Sequence, residues 1–217
     1  MKLKQLEGYL TDVEAFRDPK VQLEQYPTTA HLAARILYTA ESSFGDIDGK
    51  SVVDLGCGCA MLTVAAAIMG ATNILGMDID QDALEIAQEN IDEFEINDTV
   101  DLMHASVCEP AKDGTGLAMN GALVEKMQRK FDTAILNPPF GTKPGNKGID
   151  VAFLQAACEM ATTASSTRSF LIKKADSWGF DCEVLAELKF DVPMMYKFHK
   201  KKSVDIEVDL IRLSRRP

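Results

Sequence analysis

Apolar side chains recur three and four positions apart along parts of the chain, and this spacing predicts helices that are buried along one face. The clearest example is the stretch "AHLAARILYTAESSF" at residues 30–44. The apolar run at residues 60–69, which comes directly after Gly58 and Cys59, ends at Gly70. Asp80 can cap the helix predicted at residues 82–96. The predicted helices cover residues 30–44, 60–69, 82–96, 122–130 and 150–163.

Shorter apolar runs lie between these helices and predict β-strands. The last run alternates Val204, Ile206, Val208 and Leu210 with acidic residues, as expected of a half-exposed antiparallel strand. Residues 109–121 are expected to form a loop. The predicted strands cover residues 50–55, 73–80, 99–107, 131–136, 182–192 and 203–213.

Strand–helix alternation that ends in an antiparallel pair predicts an α/β fold with a mostly parallel sheet and helices on both faces. We expect residues 1–217 to form one domain, because no repeat or linker interrupts them. Such a sheet needs a fifth strand after the helix at 150–163, where the chain leaves almost no room. Either residues 169–172 are a short strand, or residues are absent from the sequence. We favour the second explanation, because residues 165–178 are typical of a capped helix.

Composition places the chain among soluble globular proteins, since 46% of its 217 residues are hydrophobic and 26% are charged. No apolar run is long enough for a membrane span, and residues 1–10 are not a signal peptide. The five cysteines include no CxxC pair, which indicates reduced thiols and a cytoplasmic and nuclear protein, the nucleolus included. Cys57 and Cys59 lie in a glycine loop without nearby ligands, so we expect no metal site.

The formal net charge of −10 is unevenly distributed along the chain. Residues 195–217 carry seven lysines and arginines against three acidic residues, so this end of the chain is basic. A basic end on an acidic body is a candidate contact for phosphate groups, although a solvated surface is the simpler interpretation.

A glycine loop follows the first predicted strand, in the stretch "VVDLGCGCAML". Gly56 and Gly58 at the end of a parallel strand would let a ligand approach the backbone near the N-terminus of the next helix. Asp78 ends the second strand, where a carboxylate can bind the two hydroxyl groups of a ribose. Together these features predict a nucleoside cofactor, whereas each acid taken alone could be a capping or turn residue.

Asp54 narrows the choice of cofactor. A carboxylate that faces the glycine loop repels a pyrophosphate but suits a ligand with an ammonium group, which S-adenosylmethionine has and NAD lacks. These residues resemble those of the Rossmann-like class I S-adenosylmethionine-dependent methyltransferases, whose fold also ends in an antiparallel strand. The resemblance implies S-adenosylmethionine as the cofactor.

The stretch "ILNPPFGTK" follows the fourth strand and should therefore lie beside the methyl donor. The Asn137 side-chain oxygen and the Pro138 carbonyl could accept the two N–H groups of an exocyclic amine and free its lone pair for the methyl group. Pro138 and Pro139 fix the backbone and add no competing donor. Phe140 offers a stacking face to a base. The alternative is a rigid turn with Phe140 in the core.

Several further stretches resemble the methyltransferase-like proteins that methylate adenosine N6 in small-subunit ribosomal RNA: "EQYPT", "DLGCGC", "NPPFGTK", "YKFHKKKS" and "VDIEVDLIRLS". The likeness spans about residues 20–213. It implies that residues 1–29 cover the cofactor, with Gln25 and Thr28 in contact with it, although Thr28 or Thr29 could simply cap a helix. It also implies an obligate partner, a small zinc-binding methyltransferase activator subunit that adds a strand to an exposed sheet edge. Our candidate for that edge is the third strand.

The same resemblance implies a set of site residues. The family usually has an acid where this chain has Ser106, which weakens that expected contact with the cofactor adenine. The cofactor-binding residues would be Gln25, Thr28, Asp54, Leu55, Gly56, Gly58, Asp78, Ile79, Ser106, Val107 and Asn137. The catalytic residues would be Asn137, Pro138, Pro139 and Phe140, and the RNA-binding residues Lys197, His199, Lys200, Lys201 and Lys202.

Two other functions fit the sequence less well. A glutamine N5-methyltransferase that acts on a translation release factor would use the same pocket on an amide, but its motif usually ends in tyrosine. A cofactor-binding scaffold without catalysis would not need the Asn137 amide. The basic stretch at residues 197–203 favours RNA over protein as the substrate.

Overall fold

The computed structural model of the protein describes residues 1–143, 145–167, 172–193 and 203–216. This part of the chain contains seven helices and nine strands, among them a helix and three strands that the apolar pattern did not predict. The helices are α1 (Leu3–Leu10), α2 (Ala30–Phe44), α3 (Met61–Ile68), α4 (Gln81–Glu93), α5 (Gly121–Met127), α6 (Ile149–Met160) and α7 (Ile172–Ser177), with a 3-10 turn at Val21–Leu23. The strands are β1 (Ser51–Leu55), β2 (Asn73–Asp78), β3 (Val100–His104), β4 (Cys108–Pro110), β5 (Leu117–Met119), β6 (Phe131–Leu136), β7 (Ala161–Ser166), β8 (Phe180–Pro193) and β9 (Ser203–Arg215).

Seven strands form one sheet in the order β3-β2-β1-β6-β7-β9-β8. The first five are parallel, and β9 runs antiparallel between β7 and β8. Buried side chains alternate between the two faces of the sheet: Val52 packs with α1 to α4, whereas Val53 packs with α5, α6 and α7. Both faces are thus covered by helices, and the predicted α/β fold with its antiparallel C-terminal strand is confirmed.

Local signals explain several helix ends. The Thr29 side chain accepts a hydrogen bond from the Leu32 amide at 3.2 Å and begins α2, and Asp80 caps α4 in the same way. Gly45 ends α2 in the left-handed conformation that favours glycine. None of the described helices is both long enough and apolar enough to cross a membrane.

The fifth parallel strand lies where the sequence analysis did not place it. The predicted helix at 150–163 is too long, because α6 ends at Met160 and β7 begins at the next residue. The β-branched residues Thr162 and Thr163 favour a strand over a helix terminus, and β7 pairs with both β6 and β9. The sheet therefore has its fifth strand at Ala161–Ser166, and neither residues 169–172 nor added residues are needed to supply it.

Three other elements, β4, β5 and α1, were also missed. Residues 108–119, expected to be mostly loop, form the antiparallel ribbon of β4 and β5. The first ten residues, which carried no predicted helix, include α1, whose Leu6 and Leu10 are fully buried.

Candidate functional site

A cavity of about 420 Å³ opens beyond the carboxyl ends of the parallel strands β1, β2, β3 and β6. A smaller cavity adjoins it, since Gly56, Gly58 and Asn137 line both. The larger cavity is lined by eight predicted cofactor-binding residues: Gln25, Gly56, Gly58, Asp78, Ile79, Ser106, Val107 and Asn137. Thr28 and Asp54 line the smaller one. Leu55 lines neither cavity, because its side chain is fully buried in the core.

The glycine loop turns sharply at the end of β1. Gly56 and Gly58 have positive φ angles of 71° and 55°. A Cβ atom at Gly58 would lie 2.8 Å from the ring of Phe16, so only glycine leaves room for that ring. The Gly58 amide donates to Asp78 Oδ2 at 2.8 Å, and the Asp80 amide donates to Asp78 Oδ1 at 2.9 Å. A carboxylate has about four acceptor positions, so Asp78 can still accept a hydrogen bond from a ligand hydroxyl group.

Asp54 is a buried carboxyl group with one oxygen in use. Its Oδ2 accepts from Thr63 Oγ1 at 2.7 Å, whereas Oδ1 has no hydrogen-bond partner. Burial raises the pKa of Asp54 to about 7, and the nearby Asp78 carboxylate adds to the rise. An unsatisfied carboxylate oxygen beside a cavity is suited to a cationic group with N–H donors, such as an ammonium.

Asn137 lies directly after β6, at the junction of the two cavities. Its Nδ2 donates to Thr28 Oγ1 at 2.9 Å, and its Oδ1 accepts a hydrogen bond from the hydroxyl group of Thr167. The amide nitrogen thus faces Thr28 and the amide oxygen faces Thr167. An acceptor atom with a free lone pair is held at the point where both cavities meet.

The other residues of the "NPPF" stretch occupy three different environments. Pro139 lines the larger cavity, and Pro138 is buried. Phe140 lines neither cavity and packs instead against the hydrophobic core on the α1–α4 face of the sheet. This position matches the alternative in which Phe140 is a core residue, rather than a ring already presented to a base.

Residues 14–28, which we call the covering segment, run along the two cavities. Phe16 and Tyr26 line both cavities, and Leu23 lines the larger one. Polar side chains hold the segment at both ends: Asn137 bonds to Thr28, and Asn90 bonds to Glu14. The buried Asn90 amide bonds to the Glu14 backbone in both directions, at 2.8 and 3.0 Å, and also donates to the Cys59 carbonyl at 2.8 Å.

Further contacts attach the covering segment between these ends. The Gln25 Nε2 donates to Asp80 Oδ2 at 2.6 Å, and Lys20 forms an ion pair with the same carboxylate. The sequence did not identify Phe16 and Tyr26, which line the cavities, or Asn90, which holds the beginning of the covering segment. Tyr26 stands inside the quoted "EQYPT" stretch, but no local signal distinguished Phe16 or Asn90 from ordinary core or surface residues.

The remaining predicted residues have mixed positions. The Ser106 hydroxyl donates to the Cys108 carbonyl at 2.6 Å, so it is already used by the turn into β4. Ile79 leaves 51% of its surface exposed beside the cavity, as an apolar side chain would if it packed on a ligand. The proposed RNA-binding residues Lys197, His199, Lys200, Lys201 and Lys202 lie outside the described residues.

Cys57 and Cys59 do not form a reactive pair. Both thiols are buried, and burial raises the pKa of Cys59 to about 12, so the thiol is protonated at neutral pH. Within the described parts of the chain, no three His, Cys, Asp or Glu side chains are grouped closely enough to hold a metal ion.

A family model matches the part of the chain that carries the glycine loop. Residues 26–127 match the model described as ribosomal protein L11 methyltransferase (PrmA). This range contains the glycine loop, Asp54 and Asp78 and ends before Asn137. The match therefore concerns the elements that surround the cavity floor and not the loop that follows β6.

Full-length relatives extend the likeness to the whole chain. The chain is 48% identical to rRNA N(6)-adenosine-methyltransferase METTL5 of Danio rerio, covering 99% of each sequence. It is 42% identical to the Mettl5 protein of Drosophila melanogaster, covering 98% of this chain and 96% of the relative. The crystal structure of PH1948 from Pyrococcus horikoshii is 31% identical with a TM-score of 0.82, covering 99% of this chain and 98% of that one. The chain therefore belongs to the family of the rRNA N(6)-adenosine-methyltransferases, S-adenosylmethionine-dependent enzymes with the class I fold that its sequence predicts.

Proposed function

We propose that the chain transfers a methyl group to adenosine N6 in small-subunit ribosomal RNA, and that Asn137 and Pro138 clamp the exocyclic amine. The observation that carries this proposal is the position of Asn137 at the junction of two cavities. One cavity has the size and lining for the nucleoside part of the cofactor. The smaller cavity is lined by Asp54, whose Oδ1 has no hydrogen-bond partner and suits the amino-acid part of the cofactor.

Different residues of the site would bind different parts of the cofactor. Asp78 would accept the ribose hydroxyl groups, and Asp54 Oδ1 would accept from the ammonium group. Ile79 and Val107 would pack on the adenine, while Gln25 and Thr28 would close the site from the covering segment. When bound, S-adenosylmethionine supplies an electrophilic methyl group, which leaves its sulfonium centre for the acceptor nitrogen.

The clamp activates the acceptor without a general base. The N6 lone pair of adenine is delocalised into the ring, and two hydrogen-bond acceptors, one for each N–H, favour the tetrahedral nitrogen that can attack the methyl group. Asn137 Oδ1 is held by Thr167 with its second lone pair available, and the Pro138 carbonyl would supply the second acceptor. After transfer, the surplus proton leaves the product nitrogen for solvent. Phe140 would stack on the base only after leaving its place on the core.

Ribosomal RNA as the substrate is supported by the activity for which the full-length relatives are named and by the basic stretch at residues 197–203. The zinc-binding activator subunit would add a strand to β3, which is an edge strand of the seven-stranded sheet. We propose a cytoplasmic and nuclear location, the nucleolus included, in keeping with ribosome assembly and with five free thiols.

The test is methyl transfer from tritiated S-adenosylmethionine, with the activator subunit present, to purified small-subunit RNA, large-subunit RNA and a translation release factor. We expect label on adenosine of the small-subunit RNA alone. Asn137→Ala should lower kcat by about 10³-fold, in the range seen when one preorganised electrostatic contact is removed. Asn73→Ala, at an exposed position that begins β2, is the control.

The outcomes separate the competing functions. Label on the release factor without label on RNA would identify a glutamine methyltransferase. Transfer by the wild type no greater than that by Asn137→Ala, on any substrate, would identify a scaffold. Label on large-subunit RNA would support the same methyl transfer but place the methylated adenosine in the large subunit.

A further inference from the structure

Glu24 is the most completely hydrogen-bonded carboxylate in the described part of the covering segment. Its side chain is 5% exposed, and both oxygens face the loop that follows the "NPPF" stretch. Oε2 accepts from the Thr142 amide at 3.1 Å and from the Thr142 hydroxyl at 2.8 Å. Oε1 accepts from the Lys143 amide at 3.3 Å and from Asn146 Nδ2 at 2.9 Å.

These four donors make the loop an anion-binding site that the chain's own carboxylate fills. Gly141 turns the loop with a φ of +68°, and a Cβ atom there would lie 3.1 Å from the Asn146 carbonyl oxygen. The Asn146 backbone amide donates to the Lys143 carbonyl at 3.0 Å, and the donors of Thr142, Lys143 and Asn146 all face Glu24. Burial raises the pKa of Glu24, but the hydrogen bonds from Asn146, Thr142 and Lys143 outweigh it and lower the pKa below the usual range. Glu24 therefore stays ionised in the folded protein.

The neighbouring residue is attached to the opposite wall of the cavity. Gln25 donates to Asp80 at 2.6 Å, and the Asp80 amide bonds to Asp78, the predicted ribose-binding residue. Two consecutive side chains thus reach two separate loops, the one after β2 and the one after β6. Glu24 has a left-handed backbone with φ of 52°, a conformation unfavourable for a residue with a Cβ atom, and its hydrogen bonds hold it there.

We propose that Glu24 is a positioning residue for methyl transfer: it fixes the loop at 142–146, and through it Asn137 and Pro138, whenever the covering segment lies closed over the cofactor. The inference rests on the proposed function, because it assigns the loop's position a role in the transfer step. Glu24 lines the larger cavity, but the four hydrogen bonds of its carboxylate all go to the loop and none to Asp78 or Asn137, so its effect on the clamp passes through the backbone between residues 137 and 142.

The decisive variant is Glu24→Gln. An amide of the same size offers one oxygen to a site with four donors and turns its own N–H groups towards some of them, so at least one loop donor loses its partner. We expect exchange of the backbone amide hydrogens of residues 142, 143, 145 and 146 to quicken by roughly tenfold or more, because local opening costs less free energy. The kcat for RNA should fall by roughly 10- to 100-fold, as a small misplacement of reacting groups produces. Cofactor affinity, measured by calorimetry, should change much less than kcat.

Two further variants keep the test decisive. Glu125→Gln makes the same chemical change at an exposed position of α5 and should leave exchange and kcat unaltered. Asn146→Ala removes one donor from the other side of the contact, so it can test the same contact if Glu24→Gln does not fold. Its effects on exchange and kcat should resemble those of Glu24→Gln, and the double variant should be little worse than either alone.

The results separate this inference from the function on which it rests. Unchanged exchange at 142–146 in both variants, or faster exchange with kcat unaltered, would overturn the role of Glu24. A parallel fall in kcat, cofactor affinity and melting temperature would reduce Glu24 to a general stabilising residue and would also overturn it. Absence of transfer to RNA by the wild type would reject the proposed function instead, while the exchange measurement would still decide whether Glu24 fixes the loop.

Discussion

Asn137 and Thr28 are 109 residues apart in sequence, and their side chains are joined by a hydrogen bond of 2.9 Å. Because Thr28 accepts from the amide nitrogen, the amide oxygen is directed to the other side, towards the hydroxyl group of Thr167. The covering segment thus supplies one of the two hydrogen bonds that hold the amide on which the proposed clamp depends.

Replacing Thr28 with valine tests this orientation. The variant keeps the shape of the side chain but removes the acceptor, so the Asn137 amide can rotate and present N–H groups to the substrate amine. We expect kcat to fall by about tenfold, the equivalent of one net hydrogen bond of about 1 kcal/mol. Thr29→Val is the matched control: loss of the α2 cap should destabilise the fold by about 1 kcal/mol in chemical unfolding and spare kcat. Equal kcat values for the two variants would argue against the orienting role.

Gly58→Ala should damage the cofactor site more than the fold. The added Cβ atom would meet the Phe16 ring at 2.8 Å and displace the covering segment from the glycine loop. We expect weaker cofactor binding in calorimetry together with a lower melting temperature. Gly45→Ala isolates the backbone strain of about 1 kcal/mol, because its φ of +65° is similar and no atom lies within 4 Å. If both variants bind the cofactor equally well, contact with Phe16 is not what the glycine protects.

Cofactor affinity should depend on pH through Asp54. Its pKa of about 7 in the folded chain means that the carboxyl group is largely protonated below neutral pH. A ligand with an ammonium group binds the ionised form, so affinity should rise with pH up to about 7 and weaken by about tenfold for each pH unit below it. Titration calorimetry in buffers of different ionisation enthalpy would measure the proton that is released.

Asp54→Asn is the control for this pH dependence. It should bind more weakly at pH 8 than the wild type and should lose the dependence below pH 7. A steep dependence that persists in Asp54→Asn would assign the titrating group elsewhere.

The edge of β3 can be tested without disturbing the core. The backbone groups of Thr99 and Ala105 bond to β2, so by alternation the N–H of His104 points away from the sheet. His104→Pro removes that donor at an exposed position, and it also removes the contact of the His104 ring with the Ile79 carbonyl at 2.8 Å. His104→Ala, which loses the same ring contact but keeps the N–H, is therefore the control. For His104→Pro we expect loss of association with the zinc-binding activator subunit in size-exclusion chromatography, with cofactor binding by the isolated chain retained. Unaltered association would place the partner on another surface.

The sheet could be predicted from the sequence because its strands are continuous apolar runs and its helices have clear caps and glycine ends. The order of glycine loop, Asp78 and Asn137 along successive strands also predicted which residues meet, since parallel strands end at the same edge of a sheet. β7 was missed because the apolar pattern of α6 continues into it without a turn residue, and the β4–β5 ribbon because its strands have three residues each.

The covering segment shows what sequence patterns cannot supply. Its cavity-lining residues Phe16 and Tyr26 stand in no periodic pattern, and the partners of Glu24 lie 118 to 122 residues away. Contacts of this kind depend on where loops meet in space. Phe140 illustrates the same limit, because the motif predicts a ring beside the base, whereas the apolar ring packs on the core in this structure.

During synthesis, residues 14–28 leave the ribosome long before the loops that hold them. Thr142 and Asn146 are made more than a hundred residues later, so the segment cannot take its place until most of the domain exists. Closure over the cavity is therefore a late folding event. A chain cut short before residue 137 would contain the glycine loop, Asp54 and Asp78, yet its covering segment would lack the bonds of Thr28 to Asn137 and of Glu24 to the loop after β6.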